Sequence, residues 1–173
     1  MGGYATDGSH QEVDLGISYT IKGFTLSIND YYYPTAVGRC DQYFNLKGKE
    51  TGHWVEGSLQ YTPNRIPIWL LLSTYFAGAD KKLESGNLAW SSYAEIGGHY
   101  DFDEDNILSL AIGAALNKSF YNGYAHGFSV CNIELKYSHD FSFNKITVPV
   151  SVSYIVNPYM GKSYVSFSAA LNY

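Results

Sequence analysis

Apolar and polar residues alternate along almost the whole chain. In segment 12–21, Val13, Leu15, Ile17, Tyr19 and Ile21 alternate with Glu12, Asp14, Gly16, Ser18 and Thr20. Successive side chains of a strand point to opposite faces, so the segment reads as a strand with one apolar face and one small or polar face. The same period of two predicts strands over 24–31, 53–62, 67–76, 88–102, 107–117, 128–138 and 146–156, and a last one closing at Tyr173. In that last strand Val165, Phe167, Ala169, Leu171 and Tyr173 oppose Tyr164, Ser166, Ser168, Ala170 and Asn172.

Turn residues separate the strands: Lys22-Gly23, Thr62-Pro63-Asn64-Arg65, Asp103-Glu104-Asp105-Asn106, residues 139–144, and Asn157-Pro158. Connections after the first, third, fifth and seventh strands are short, and those after the second, fourth and sixth are long. Short turns on one rim and longer loops on the other are the asymmetry of an outer-membrane barrel. Residues 1–6, around Tyr4, read as the stub of a further strand rising to a loop at 7–10. The predicted fold is all-β: one domain over 1–173, an antiparallel up-and-down transmembrane β-barrel (a meander) of about ten strands.

Alternation alone does not separate a membrane barrel from a soluble lipocalin-like one, whose apolar face points inward. The composition of the polar face decides. A soluble barrel needs Lys, Glu and Arg on its outside. Here that face is Ser, Gly, Ala, Thr and Asn, as in Ser109, Ala111, Gly113 and Ala115, which suits a narrow interior. The opposite face, Val, Leu, Ile, Phe and Tyr, suits lipid. Charges within strands are expected on the small face, and they define a lumen polar network of Glu12, Asp14, Glu56, Tyr93, Glu95, His99, Asp101, Glu134 and Lys136. Aromatics toward the strand ends predict girdles at headgroup level: Tyr19, Tyr61, Trp90, Tyr100, Tyr137, Tyr154 and Tyr173.

Composition agrees. Aromatic residues make up 17% of the 173 and charged residues only 16%, against roughly 25% charged in ordinary soluble domains. A net charge of −5 with no basic run argues against nucleic acid as a partner. The longest apolar run, 66–76, is far short of a membrane-spanning helix of about 20 residues. No secretory leader precedes the first strand, although an outer-membrane protein needs one, so residues are expected to be missing ahead of Met1. Cys40, in a long loop, and Cys131, in a strand, are expected as unpaired thiols, and the five His show no metal spacing. No cofactor is expected.

Three segments carry a family likeness. They are Glu12-Val13-Asp14-Leu15-Gly16-Ile17-Ser18-Tyr19; Gly23-Phe24-Thr25-Leu26 through Asn29-Asp30-Tyr31-Tyr32-Tyr33-Pro34; and Gly127-Phe128-Ser129-Val130-Cys131-Asn132-Ile133-Glu134-Leu135-Lys136 with Val148-Pro149-Val150 and Ile155-Val156-Asn157-Pro158. Together they resemble the TorF-like porin family of Gram-negative outer-membrane barrels, especially its Bacteroidetes-type members. The resemblance implies a pore or transporter and supplies no catalytic residues. Members usually carry a leader and further N-terminal strands, including a Tyr-x-Trp-Arg-Gly-like segment, that this chain lacks.

An enzyme reading would make His99 a base oriented by a carboxylate. Glu95 and His99 are four residues apart, roughly 13 Å along a strand, beyond hydrogen-bond reach. His126 and Ser129 have opposite parity. The expectation is therefore no enzyme, with the polar residues satisfying one another in the lumen. About eight strands leave an interior that side chains fill, and ten to twelve lie near that end, so a wide pore is not expected. The expected function is a small porin or narrow, weakly cation-favouring transporter in the bacterial outer membrane. Its partners would be the lipid bilayer and, through the last strand, the barrel-assembly machinery. The loop over 32–51 is expected to plug the lumen or reach a ligand. The alternatives are a non-conducting structural or surface-binding barrel, a soluble lipocalin-like binding barrel and a lipid-modifying barrel enzyme.

Overall fold

The computed structural model describes residues 3–5, 8–10, 12–34, 42–47, 51–80, 85–125, 127–143 and 146–171. It is an all-β meander. The main strands are β3 (Val13–Ile21), β4 (Phe24–Tyr32), β5 (His53–Tyr61), β6 (Ile68–Gly78), β7 (Ser92–Asp101), β8 (Asn106–Ala115), β9 (Ser129–Phe143), β10 (Ile146–Asn157) and β11 (Lys162–Ala169). All nine form one antiparallel sheet in which each strand pairs with its neighbours in sequence. Ahead of them, β1 (Gly3–Ala5) and β2 (Gly8–His10) pair only with each other. The expected tenth strand is thus a separate short hairpin, and its predicted loop holds the second strand of that hairpin. The sheet is not closed, because β3 pairs only with β4 and β11 only with β10.

The strands form where the alternation predicts. Lys22 and Gly23 both take positive φ, 50° and 83°, which is the geometry a two-residue hairpin between right-twisted strands requires. A β-carbon on Gly23 would also press on the Thr62 carbonyl oxygen at 2.5 Å. Two boundaries differ from expectation. β7 begins at Ser92 and not at 88, since the preceding stretch is tied into the rim by side chains. β9 runs on to Phe143 through the predicted turn at 139–144. There the alternation continues, with Tyr137, His139 and Phe141 opposing Ser138, Asp140 and Ser142, and Phe143 pairs with Ile146.

Exposure separates the two faces. Ile17, Leu26, Leu72, Ile96 and Phe167 are all more than half exposed, while Ala111, Ala115, Ser151 and Ser153 on the opposite face are buried. The apolar face is therefore the outer one and the small-residue face the sheltered one. The edge strands β3 and β11 are exposed at every described position.

The pairing register shows how the strands tilt. From Phe24, the first residue of β4, partners run through Tyr61, Leu70, Ile96, Ile112 and Ile133 to Val156, one residue from the end of β10. The row starts at the short-turn rim and finishes at the long-loop rim. A sheet must stagger in this way to curl into a barrel with tilted strands. Every residue of the row is apolar and lies on the outer face.

Candidate lumen and its inward-folded loop

The sheltered face is built around two glycines. Trp69 pairs across the sheet with Gly97, and Glu95 pairs with Gly113. A β-carbon on Gly97 would overlap the Trp69 indole, and one on Gly113 would overlap the Tyr93 phenol. Their missing side chains let both rings lie flat on the inner surface. The rings then serve Glu95. Trp69 Nε1 donates to Glu95 Oε1 at 3.0 Å, and the Tyr93 hydroxyl donates to Oε2 at 2.6 Å. Asn132 Nδ2 lies 3.2 Å from the Tyr93 hydroxyl and 3.4 Å from Glu95 Oε2. A half-buried carboxylate is thereby held by donors from three strands, β6, β7 and β9, as a sheltered charge requires.

Above this cluster lies a loop that folds inward. The β8–β9 connection carries a short 3-10 turn, Phe120–Asn122. Tyr121 reaches over β7 and β6 to β5, where its hydroxyl donates to Glu56 Oε2 at 2.8 Å. Its ring packs on Tyr75 at 5.9 Å and on Tyr93 at 5.1 Å between centroids. Phe120 packs on Trp54 at 5.1 Å. The turn is tied at its base. Asp80 is fully buried; its carboxylate accepts from the Ser91 N–H at 2.8 Å, the Ser91 hydroxyl at 2.6 Å and the Tyr124 hydroxyl at 3.0 Å. Ser91 Oγ in turn accepts from the Phe120 N–H at 2.8 Å. Asn122, also buried, donates its amide to the carbonyls of Asn117 and Gly127. One carboxylate thus joins the β6–β7 and β8–β9 connections into a single cap.

Burial keeps the cap tyrosines protonated. Tyr121 is pushed well above the ordinary tyrosine range by burial first, then by Tyr75 and the negative charge of Glu56. Tyr124 rises for the same first reason, aided by Asp80. At the rim Tyr33 is raised by burial and by its 2.7 Å hydrogen bond to Glu12. All three remain hydrogen-bond donors wherever their carboxylate partners are ionised.

The predicted lumen residues fall into separate groups. Glu56, Tyr93 and Glu95 belong to the connected cluster. Glu12 pairs with Tyr33, and Asp14 lies beside it on the exposed edge strand. His99 and Asp101 sit apart at the short-turn rim, 3.8 Å from each other and half exposed. Glu134 and Lys136 line a cleft of about 160 Å³ with Trp69, Ser109 and Ala111. Among the described residues the ion pairs are His53–Asp30 and His99–Asp101, and neither includes Lys136. Of the girdle residues, Tyr19, Trp90, Tyr100, Tyr137 and Tyr154 are exposed on the outside. Tyr61 stacks on Phe24 at 4.4 Å, while Tyr173 lies outside the described residues, as do Cys40 and His126.

Among the described residues the connection folded over the lumen is the β8–β9 one. In the β4–β5 loop, the described Tyr43 packs on Tyr32 and His53. The signal for the true cap was three aromatics, Phe120, Tyr121 and Tyr124, in a stretch otherwise read as an exposed loop. Also, charges do not all keep to the small face. Asp30 pairs with Leu15 and Val55 and so has outer-face parity. Its carboxylate lies 2.8 Å from His53 Nδ1, so it has a hydrogen-bond partner there.

No family model, curated protein or solved structure matches the chain.

Proposed function

We propose that this chain is an outer-membrane β-barrel of the narrow-porin or small-transporter kind, with its lumen capped by the β8–β9 loop. The observation that carries the reading is the staggered outer-face row from Phe24 to Val156. Seven apolar side chains in one continuous hydrogen-bonded row give lipid a surface to bind. In water, each exposed large side chain of this kind forfeits about 1.5–3 kcal/mol of burial energy. Strands of 8 to 15 residues suit a tilted crossing that needs about 9–11. The likeness to TorF-like porins points the same way. An open edge in hydrocarbon leaves backbone groups unpaired at several kcal/mol each, so in a bilayer β3 and β11 take strand partners.

A path through this lumen would be narrow. The cap fills the upper part, and Glu56 and Glu95 line the way below it, so cations are favoured. The test is the full chain refolded into detergent and added to planar bilayers. Discrete, cation-selective steps are expected. A protein that stays monomeric in buffer without detergent would refute the membrane assignment; a folded, inserted protein without steps would refute conduction alone.

One observation favours a second reading. The cap is fastened by buried Asp80 and Asn122 and by Tyr121, which suits a sealed barrel that displays its loops. The same bilayer experiment separates the two readings.

A further inference from the structure

His53 opens β5 on the outer-face side of the long-loop rim and is 3% exposed. Its Nδ1 lies 2.9 and 2.8 Å from the two carboxylate oxygens of Asp30. Its Nε2 lies 2.5 Å from the carbonyl oxygen of Tyr43, in segment 42–47. A carbonyl can only accept, and so can an ionised carboxylate, whereas a neutral imidazole has a single N–H. Both contacts form only when the Asp30–His53 pair holds one proton more than a neutral ring beside an ionised acid. The surroundings suit a cation. The rings of Tyr32 and Tyr43 flank the imidazole at 4.6 and 5.0 Å between centroids, and aromatic faces attract positive charge.

We propose that Asp30 and His53 form a proton-operated latch that holds segment 42–47 of the β4–β5 loop against the barrel rim. Among the described residues, the other groups around the ring do not compete for that proton. Tyr32 and Tyr43 present their rings. The Thr51 hydroxyl accepts from the His53 backbone N–H at 3.1 Å. Asp80 follows Ala79, whose N–H donates to the His53 carbonyl, and its carboxylate is taken by Ser91 and Tyr124. When the ring loses its second proton, the Nε2 lone pair faces the Tyr43 oxygen, and acceptor meets acceptor. The ring keeps Asp30 and the loop is released. The latch is closed while the pair holds the extra proton and opens when that proton is lost. It works whether or not the barrel conducts.

The test is amide hydrogen exchange of the full chain in detergent micelles, with the His53 ring followed by NMR, from about pH 5 to about pH 9. The reporter is the Asn45 amide, which donates to the Gln42 carbonyl at 2.9 Å inside the latched segment. After correction for intrinsic rates, its protection is expected to fall about tenfold or more as the His53 ring titrates, the scale of one charge-assisted hydrogen bond. His53→Phe keeps the ring packing without a donor and should show low, pH-independent protection. Asp30→Asn, which removes the charge holding the proton, should move the midpoint to lower pH. Protection that does not change across the range, or the same pH dependence in His53→Phe, overturns the latch. An unmoved midpoint in Asp30→Asn overturns it even if His53→Phe fails to fold.

Discussion

Replacing Tyr121 with Phe tests whether the cap is held by the contacts described. The change removes one hydroxyl, the donor to Glu56 at 2.8 Å, and keeps the ring against Tyr75 and Tyr93. A hydrogen bond to a charged group contributes about 1.5–3 kcal/mol, so the open fraction of the cap should rise roughly 10- to 150-fold. Tyr121→Ala removes the ring contacts with Tyr75 and Tyr93 as well, each contributing about 0.5–1.5 kcal/mol, and should open it further. Open probability in planar bilayers reads the change directly. Exchange of the Asn122 and Gly123 amides, which bond to the Ser119 and Phe120 carbonyls, reads it without conduction. Glu56→Gln closes the double-mutant cycle, and the pair should be strongly non-additive. The pH dependence has a definite sign. Because the folded-state value of Tyr121 is raised, its contribution is fully present below the ordinary tyrosine value and is lost as pH climbs through the raised one. The cap should therefore stay shut at neutral pH and loosen only in strong alkali. Unchanged amide exchange in Tyr121→Phe and Tyr121→Ala would refute the cap.

Ile96→Lys puts a base in the middle of the outer apolar row and should lower stability in bilayers by about 2–4 kcal/mol; denaturant titration in vesicles measures this, and a neutral result would contradict the lipid-facing assignment. Gly113→Ala should displace the Tyr93 ring and cost about 1–3 kcal/mol, reported by a lower thermal midpoint and a changed Trp69 fluorescence; an unaltered spectrum would show that the ring does not lie on the glycine. The edge amides of β3 should exchange slowly in bilayers, because hydrocarbon does not tolerate an open edge. Fast exchange along β3 in an inserted protein would remove the basis for the membrane reading.

The strands were legible because their faces differ in kind, not merely in polarity. Leu108, Leu110 and Ile112 against Ser109, Ala111 and Gly113 fix both the period and the side, and the exposure of the two faces follows that division. Glycine placement was only half legible. Gly97 and Gly113 read as small inner residues, but nothing in one sequence says that Trp69 and Tyr93 lie across them, since that contact depends on register. The cap was missed because loop sequences carry no periodicity. Phe120 and Tyr121 find Trp54, Tyr75 and Glu56 through contacts more than 40 residues distant in the chain. Asp30 was missed for a related reason. Parity puts its charge on the outside, and only the partner from the next strand, His53, makes that position acceptable.

The cap also decides what a conducting state would look like. With the cap in place, Glu56 takes the Tyr121 hydroxyl, and Glu95 takes the Trp69 indole and the Tyr93 hydroxyl. Of these two acids, withdrawing the cap removes a partner only from Glu56, because the donors to Glu95 come from the strands themselves. Opening therefore uncovers a carboxylate on β5 beside the aromatic wall of Trp54 and Tyr75, which lie 5.4 Å apart, while Lys136 keeps its place in the cleft beside Trp69. A freshly exposed acid with no cation beside it attracts cations into a low-dielectric passage. Selectivity and opening then share one residue. Glu56→Gln should raise open probability and weaken cation preference together, as reversal potentials in a salt gradient would measure. A variant that altered opening and left selectivity intact would place the path somewhere other than past Glu56.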